Sequence, residues 1–378
     1  MSALPSSAKA SATPAPAVRV PVHVLGSALG AYPGSEVVGV VGEISPSESE
    51  TAGQSGALAP GQLVLVPRLL PCGECEPCRR GRVSICSQVA ARPRRPQAIE
   101  HVPPRFLVPL GPPFVSTAPE PSAAYRFAAL SDALLAPYSG LVRVGLGPGT
   151  LCVVVGHGCR AALAAVVARA MGAATAIVSL GAPADEVTRL QSDPYGAMAV
   201  LADESLGPTA LRSQLAELAL GASLPAHGLC FIETSGSDAG RTLTLSLLSA
   251  GGSAVFLDRA EPCAPAGSAT TAVEHAAPAL AMDLPVGPSH SSPALLQRLA
   301  HEGCLLIGGG AVHPDLLVEL LALCERAHVD LAQLTRQVAD DEIDALMTAR
   351  RCGQGDRLTL PIVAYPLSGL PSFGGAQA

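Results

Sequence analysis

Four cysteines fall in one short stretch, Cys72, Cys75, Cys78 and Cys86, within Pro-Cys-Gly-Glu-Cys-Glu-Pro-Cys and the basic run that follows it. The spacing C-x2-C-x2-C-x7-C lets a single loop gather four thiolates around one tetrahedral ion. Four sulfur ligands at about 2.3 Å leave no open coordination position, so the chemistry predicted is a structural zinc site, not a catalytic one. Gly73 and Pro77 suit the tight turns such a loop needs. Arg79, Arg80 and Arg82 offset the charge of the thiolates. The other cysteines, Cys152, Cys230 and Cys324 among them, lie in apolar segments and read as small core residues.

A second chemical signal is the run Gly156-His157-Gly158-Cys159-Arg160-Ala161. It has the form G-x-G-x-x-A and follows the apolar run Leu151 to Val155. The glycines permit a tight bend and close approach of a pyrophosphate, and Ala161 stands where the following helix packs on the strand. The start of that helix supplies N–H donors for phosphate. Ser179 takes the place, about 20 residues on, where an acidic residue would hold an adenine ribose. It offers neither a carboxylate for ribose hydroxyls nor a cation for a 2′-phosphate, which predicts weak discrimination between NAD and NADP.

These groups need two kinds of scaffold. Val18 to Leu25, Val37 to Ile44 and Leu63 to Val66 read as strands, Ser45 to Pro60 as a polar loop, and Ala90 to Pro104 as irregular. The first part is therefore expected to be an antiparallel β domain interrupted by the cysteine lobe. Strand, glycine turn, helix Ala162 to Met171 and strand Thr175 to Ser179 make a βαβ unit. Further strands are expected at Ala197 to Leu201, Leu229 to Glu233, Ser253 to Leu257 and Leu305 to Ile307, with helices between several of them. That alternation predicts an α/β domain with a parallel, doubly wound sheet. After Asp315 a helix, a loop, an acidic helix Ala339 to Arg350 and a final strand Arg357 to Val363 are expected. The predicted division is a flexible tail over 1–17, a β domain over 18–142 with the zinc lobe at 72–86, a Rossmann domain over 143–308, and a return to the first domain over 309–378.

Composition removes several alternatives. A chain of 378 residues with 48% hydrophobic content and 15% charge has the material for about two folded domains. A net charge of −7 argues against general nucleic-acid binding, and 3% aromatics without tryptophan against stacking platforms for single strands. No apolar run reaches the ~18 residues of a membrane span. The Ala/Pro/Ser-rich start lacks the apolar centre of a signal peptide. An odd number of cysteines, 11, points to a reducing compartment, the cytoplasm.

A cysteine lobe inside a β domain, followed by a Rossmann unit, resembles the zinc-containing medium-chain dehydrogenase/reductase family, whose β domain is GroES-like. Pro33 to Gly39 looks like that family's Gly-His-Glu segment, and Gly61-Gln62-Leu63-Val64 like its Gly-Asp-Arg-Val strand. Val66 to Glu76, Ser131-Asp132-Ala133 with Pro137-Tyr138, Ser235-Gly236-Ser237 with Leu245 to Leu248, and Gly303-Cys304 ahead of His313-Pro314 are similar to 6-hydroxycyclohex-1-ene-1-carbonyl-CoA dehydrogenases. The resemblance implies an NAD(P)-dependent oxidoreductase acting on a small molecule. It implies an active site between the domains and a homo-oligomer.

The resemblance breaks at the catalytic metal. Leu25 to Leu29 is the counterpart of the family's cysteine loop and holds no cysteine, and Ser35 replaces the histidine. Glu36 and Asp132 remain, and two carboxylates without imidazole or thiolate make a poor zinc site. One structural zinc and no second zinc are therefore expected. His23 and His101 are the histidines that could substitute. Without a Lewis acid, zinc-free relatives reduce activated double bonds, for which Tyr138 is a candidate proton donor. Ser35, the absent cysteine and Ser179 also support a second expectation: a non-catalytic homologue that keeps the fold and the structural zinc.

Overall fold

The computed structural model describes residues 20–28, 36–44, 58–67, 69–72, 74–80, 82, 85–86, 88, 90–91, 99–111, 121–131, 133–257, 297, 299–308, 314–351 and 356–365. The tail expected over 1–17, most of the polar loop after Ser45, and both Ser35 and Asp132 lie outside them.

In chain order the first part holds β1 (Val20–Ala28), β2 (Glu36–Val41), β3 (Leu63–Val66), β4 (Leu69–Leu70), the one-turn helix α1 (Glu76–Arg79), β5 (Ala90–Ala91), β6 (Ile99–Val102) and β7 (Val108–Pro109). A 3-10 stretch, Pro121–Leu130, leads to α2 (Leu135–Arg143). Then come β8 (Leu151–Val155), α3 (Gly158–Ala170), β9 (Ala174–Val178), α4 (Ala184–Gln191), β10 (Ala199–Leu201), α5 (Pro208–Gly221), β11 (Cys230–Glu233), α6 (Asp238–Leu247), β12 (Ser253–Phe256) and β13 (Leu305–Gly308). The chain closes with α7 (Pro314–Arg326), α8 (Leu331–Leu334), β14 (Thr335–Val338), α9 (Ile343–Arg351) and β15 (Leu360–Ala364).

The strands form two main sheets. One runs β14-β15-β1-β2-β3-β7, with β6 also paired to β1. β14 and β15 are parallel and the remaining pairs antiparallel, so this sheet is mixed where the sequence predicted an antiparallel one. The returning chain causes the difference: Thr335–Val338 joins the sheet as a strand just before the acidic helix. The Arg- and Pro-rich segment expected to be irregular also contributes a strand. Ile99–Val102 pairs with β1 in the register Val20↔Val102 and His23↔Ile99, and backbone pairing outweighs its composition.

The other sheet has the order β10-β9-β8-β11-β12-β13, and every pair in it is parallel. Leu-Cys-Val-Val-Val of β8 is buried along its whole length, as a central parallel strand covered on both faces requires. Ala161 to Ala168 of α3 and Leu190 of α4 pack on one face with Cys152, Val154 and Ile177. Leu211 and Leu215 of α5 and Leu247 of α6 pack on the other with Val153, Val155 and Phe231. Gly140 lets α2 settle on the sheet, since a Cβ there would lie 2.3 Å from Val255 Cγ1. No helix among the described residues is long and apolar enough to cross a membrane.

Candidate functional site

The chain leaves β8 for β9 and β10 on one side and returns to β11 on the other, so the strand order reverses beside β8. In a parallel sheet such a reversal opens a crevice at the carboxyl ends of the two strands, where ligands bind. The turn after β8 and the turn after β11 line it. Gly156 N–H donates to Val178 O at 3.0 Å, and Thr234 N–H donates to Val155 O at 2.9 Å. The Thr234 hydroxyl donates to the same carbonyl at 3.1 Å.

The glycines are dictated by this geometry. Gly156 has φ +139° and Gly158 φ +70°, both in the region that favours glycine. A Cβ on Gly156 would meet Thr234 Oγ1 at 2.3 Å, and one on Gly158 would meet the Arg357 carbonyl oxygen at 3.3 Å. The helix begins at Gly158, four residues earlier than predicted, with His157 as its N-cap. Its first N–H groups therefore have no acceptor within the helix and point toward the crevice. Ala161 is fully buried against the sheet, as expected for close helix–strand packing.

A buried carboxylate shapes the neighbouring turn. Glu233 Oε1 accepts from Ser235 N–H at 2.7 Å, from Gly236 N–H at 3.1 Å and from the Ser235 hydroxyl. Ser237 caps α6 by accepting from Gly240 N–H at 3.0 Å. Ser179, just past β9, is 1% exposed, and its Oγ has no hydrogen-bond partner among the described residues.

Two residues that sequence reasoning missed complete this edge of the crevice. Arg357, from the segment before β15, reaches Glu186 of α4, with Nη1 3.7 Å from Oε2. Arg189 of the same helix pairs with Asp356 at 3.1 Å, and Asp356 accepts from Leu358 N–H at 3.1 Å, which fixes the segment beside Gly158. Desolvation and then the Arg357 charge lower the pKa of His157, while Glu186 acts in the opposite sense. No spacing rule could have found this group, because tertiary structure alone brings α4 and the last strand together.

The second site is the cysteine cluster. The Sγ atoms of Cys72, Cys75, Cys78 and Cys86 all lie within 4.8 Å of one another. Cys72 and Cys78 are 4.0 Å apart and Cys75 and Cys86 3.9 Å, close to the ~3.8 Å edge of a tetrahedron with metal–sulfur bonds of about 2.3 Å. Cys75 sits at the N-cap of α1 with a proline in the first turn, so the helix turn brings Cys78 to the same side. Backbone N–H groups of Cys75 and Cys72 donate to the sulfurs of Cys72 and Cys86, each at 3.3 Å. Burial opposes ionisation of Cys72, but hydrogen bonds from the Cys75 and Glu74 backbone lead the opposing effects, and its pKa stands at about 6. Four sulfurs in this geometry fit a zinc ion. Among the basic residues beside it, Arg80 pairs with Glu76 at 2.7 Å.

Residues 13–102 match the sequence model of the alcohol dehydrogenase GroES-like domain. Galactitol-1-phosphate dehydrogenase from Escherichia coli is similar in structure over 92% of each chain, with a TM-score of 0.67 at 16% identity. The chain has the alcohol dehydrogenase fold. The alcohol dehydrogenase from Aeropyrum pernix is similar over 92% of each chain, with a TM-score of 0.65 at 17% identity. A short chain alcohol dehydrogenase from E. coli CFT073, solved with the cofactor NADH, covers 93% of this chain and 94% of its own, with a TM-score of 0.64 at 12% identity. A search of curated proteins found no match. In this alcohol dehydrogenase fold the mixed sheet is the GroES-like part and the parallel sheet the Rossmann part.

The remaining candidates are placed as follows. Glu36 opens β2 opposite Ala28 of β1. Tyr138 lies buried on α2, its hydroxyl donating to Glu319 Oε2 of α7 at 3.3 Å. Burial first, and then the Glu319 charge, raise its pKa. His23 and His101 stand on the paired strands β1 and β6, His101 opposite Pro21. Cys152 and Cys230 are register partners on β8 and β11 and, like Cys324, are buried in the core, as small apolar residues would be.

Proposed function

We propose that this protein is an NAD(P)-dependent oxidoreductase that transfers hydride between a nicotinamide cofactor and a small alcohol, ketone or enoyl substrate. The observation that carries the reading is the glycine turn at the strand-order reversal, where Gly156 and Gly158 take positive φ and pack too closely on Thr234 and Arg357 to carry a Cβ. Gly156, Gly158, Ala161 and Ser179 would hold the dinucleotide, with the N–H groups at the start of α3 facing its pyrophosphate. When bound, the cofactor supplies the hydride acceptor or donor. The protein's part is to orient it and to exclude water.

Cys72, Cys75, Cys78 and Cys86 would hold one structural zinc per chain, which ties the lobe together and takes no part in the reaction. Glu36 and Asp132 are proposed as the acidic groups near the reacting centre. Tyr138 is proposed as a proton donor, and its hydroxyl would first have to leave Glu319. A cyclic acyl-CoA alcohol is the substrate favoured by the sequence resemblance, and a homo-oligomer in the cytoplasm the setting. The domain boundaries at 142 and 308 belong to the same proposal.

Ser35 in place of histidine and the missing cysteine favour a second reading, a homologue that keeps the fold and the structural zinc without catalysis. Incubation with NAD or NADP and a panel of primary, secondary and cyclic alcohols, including a cyclic hydroxyacyl-CoA, separates the two. Cofactor-dependent appearance of reduced nicotinamide supports the enzyme. Cofactor binding without turnover on any substrate, or no binding at all, supports the second reading.

A further inference from the structure

We infer that Glu186 reads the adenosine ribose of the cofactor and makes the site selective for NAD over NADP. The inference rests on the dinucleotide reading above and deepens it. Ser179, at the end of β9, carries no charge with which to tell a ribose from its 2′-phosphate. The carboxylate that the site otherwise lacks arrives from the next helix. Glu186 is 5% exposed, and its Oε1 has no hydrogen-bond partner among the described residues. Its Oε2 lies 3.7 Å from Arg357 Nη1, and the Arg357 carbonyl oxygen stands 3.3 Å from where a Cβ on Gly158 would be. Glu186 therefore lies close enough to the turn for its charge to act on His157, with one oxygen facing Arg357 and the other buried without a partner among the described residues.

A buried, unpartnered carboxylate oxygen calls for a donor, because it has lost water without gaining a partner. The vicinal hydroxyls of a ribose are donors of the right kind. A 2′-phosphate is not: it carries negative charge and no proton to give, so it meets repulsion at short range in a poorly screened place. Arg357 and Arg189 are the cations that could have welcomed the phosphate. Arg357 already faces Glu186, and Arg189 is paired with Asp356 at 3.1 Å. The charged groups at this edge are thus arranged in pairs, and the oxygen left without a partner is a carboxylate acceptor.

The test is a fluorescence titration of the full chain with NADH and with NADPH, for wild type, Glu186→Gln and Glu186→Asp, each checked for intact thermal unfolding. Wild type is expected to prefer NADH by about tenfold or more, a factor that a charge-assisted hydrogen bond supplies. Glu186→Gln should bring the two affinities within about threefold, mainly by improving NADPH, because repulsion is removed. Glu186→Asp keeps the charge on a shorter stem and should hold an intermediate preference, and it serves as the deciding variant if Glu186→Gln does not fold. A preference for NADH that both variants leave unchanged overturns the assignment of Glu186 while the dinucleotide reading stands. So does a wild type that binds both cofactors equally. A folded wild type that binds neither cofactor overturns the dinucleotide reading, and the assignment with it.

Discussion

The Cβ position of Gly156 lies 2.3 Å from Thr234 Oγ1, so the turns after β8 and β11 meet where no side chain fits. Thr234 holds that contact by donating both its N–H and its hydroxyl to Val155 O. Gly156→Ala must push the two turns apart and also place a Cβ at φ +139°. We expect a loss of about 1–3 kcal/mol in stability, typical of a strained backbone position, together with weaker cofactor binding. Denaturant unfolding checks the first part. An alanine variant as stable as wild type would show that the turns are not locked to each other.

Metal analysis of the purified protein should give one zinc per chain. Cys75→Ser should lose it and loosen the lobe, because metal binding contributes directly to local folding. Cys324→Ser changes a buried core cysteine on α7 and should keep the zinc. A zinc-free wild type with an intact lobe, or a second zinc per chain, would contradict the ligand set.

Glu233 is fully buried and accepts from two backbone N–H groups, those of Ser235 and Gly236. Glu233→Gln keeps the volume and can keep its oxygen in the Oε1 place, but it then sets an amide donor against Gly236 N–H, where Oε2 accepts at 3.2 Å. The expected cost is about 2–3 kcal/mol, the scale of hydrogen bonds to a charged group. A melting temperature unchanged from wild type would mean that the turn holds itself.

Tyr138→Phe removes the hydroxyl that donates to Glu319 Oε2. About 1 kcal/mol of stability should be lost, as for one ordinary hydrogen bond. If Tyr138 also gives a proton to substrate, kcat falls with little change in KM. An unchanged kcat would remove it from the reaction.

How far the sequence speaks depends on whether the information is local. The limits of β3 and β8 agree with the apolar runs Leu63 to Val66 and Leu151 to Val155, because a continuous apolar run with turn residues at its ends defines a buried strand. The cysteine cluster was legible for the same reason: its four residues lie within one short stretch of chain. β6 and β14 were missed because neither Ile-Glu-His-Val nor Thr-Arg-Gln-Val has a clear strand pattern, and each is a strand through its pairing with β1 or β15. Glu186 and Arg357 were missed because nothing in their own neighbourhoods marks them. Only the packing of α4 beside the segment before β15 makes them a pair.

Calorimetric titration of wild type and Gly158→Val with NADH tests the central claim most directly. Wild type should bind one NADH per chain. Valine at φ +70° strains the start of α3 and crowds the Arg357 carbonyl, shifting the N–H groups that would face the pyrophosphate, so the variant should bind at least about tenfold more weakly. Thermal unfolding of both proteins confirms that the comparison is between folded chains. Equal affinities, or no binding by the folded wild type, would contradict the account.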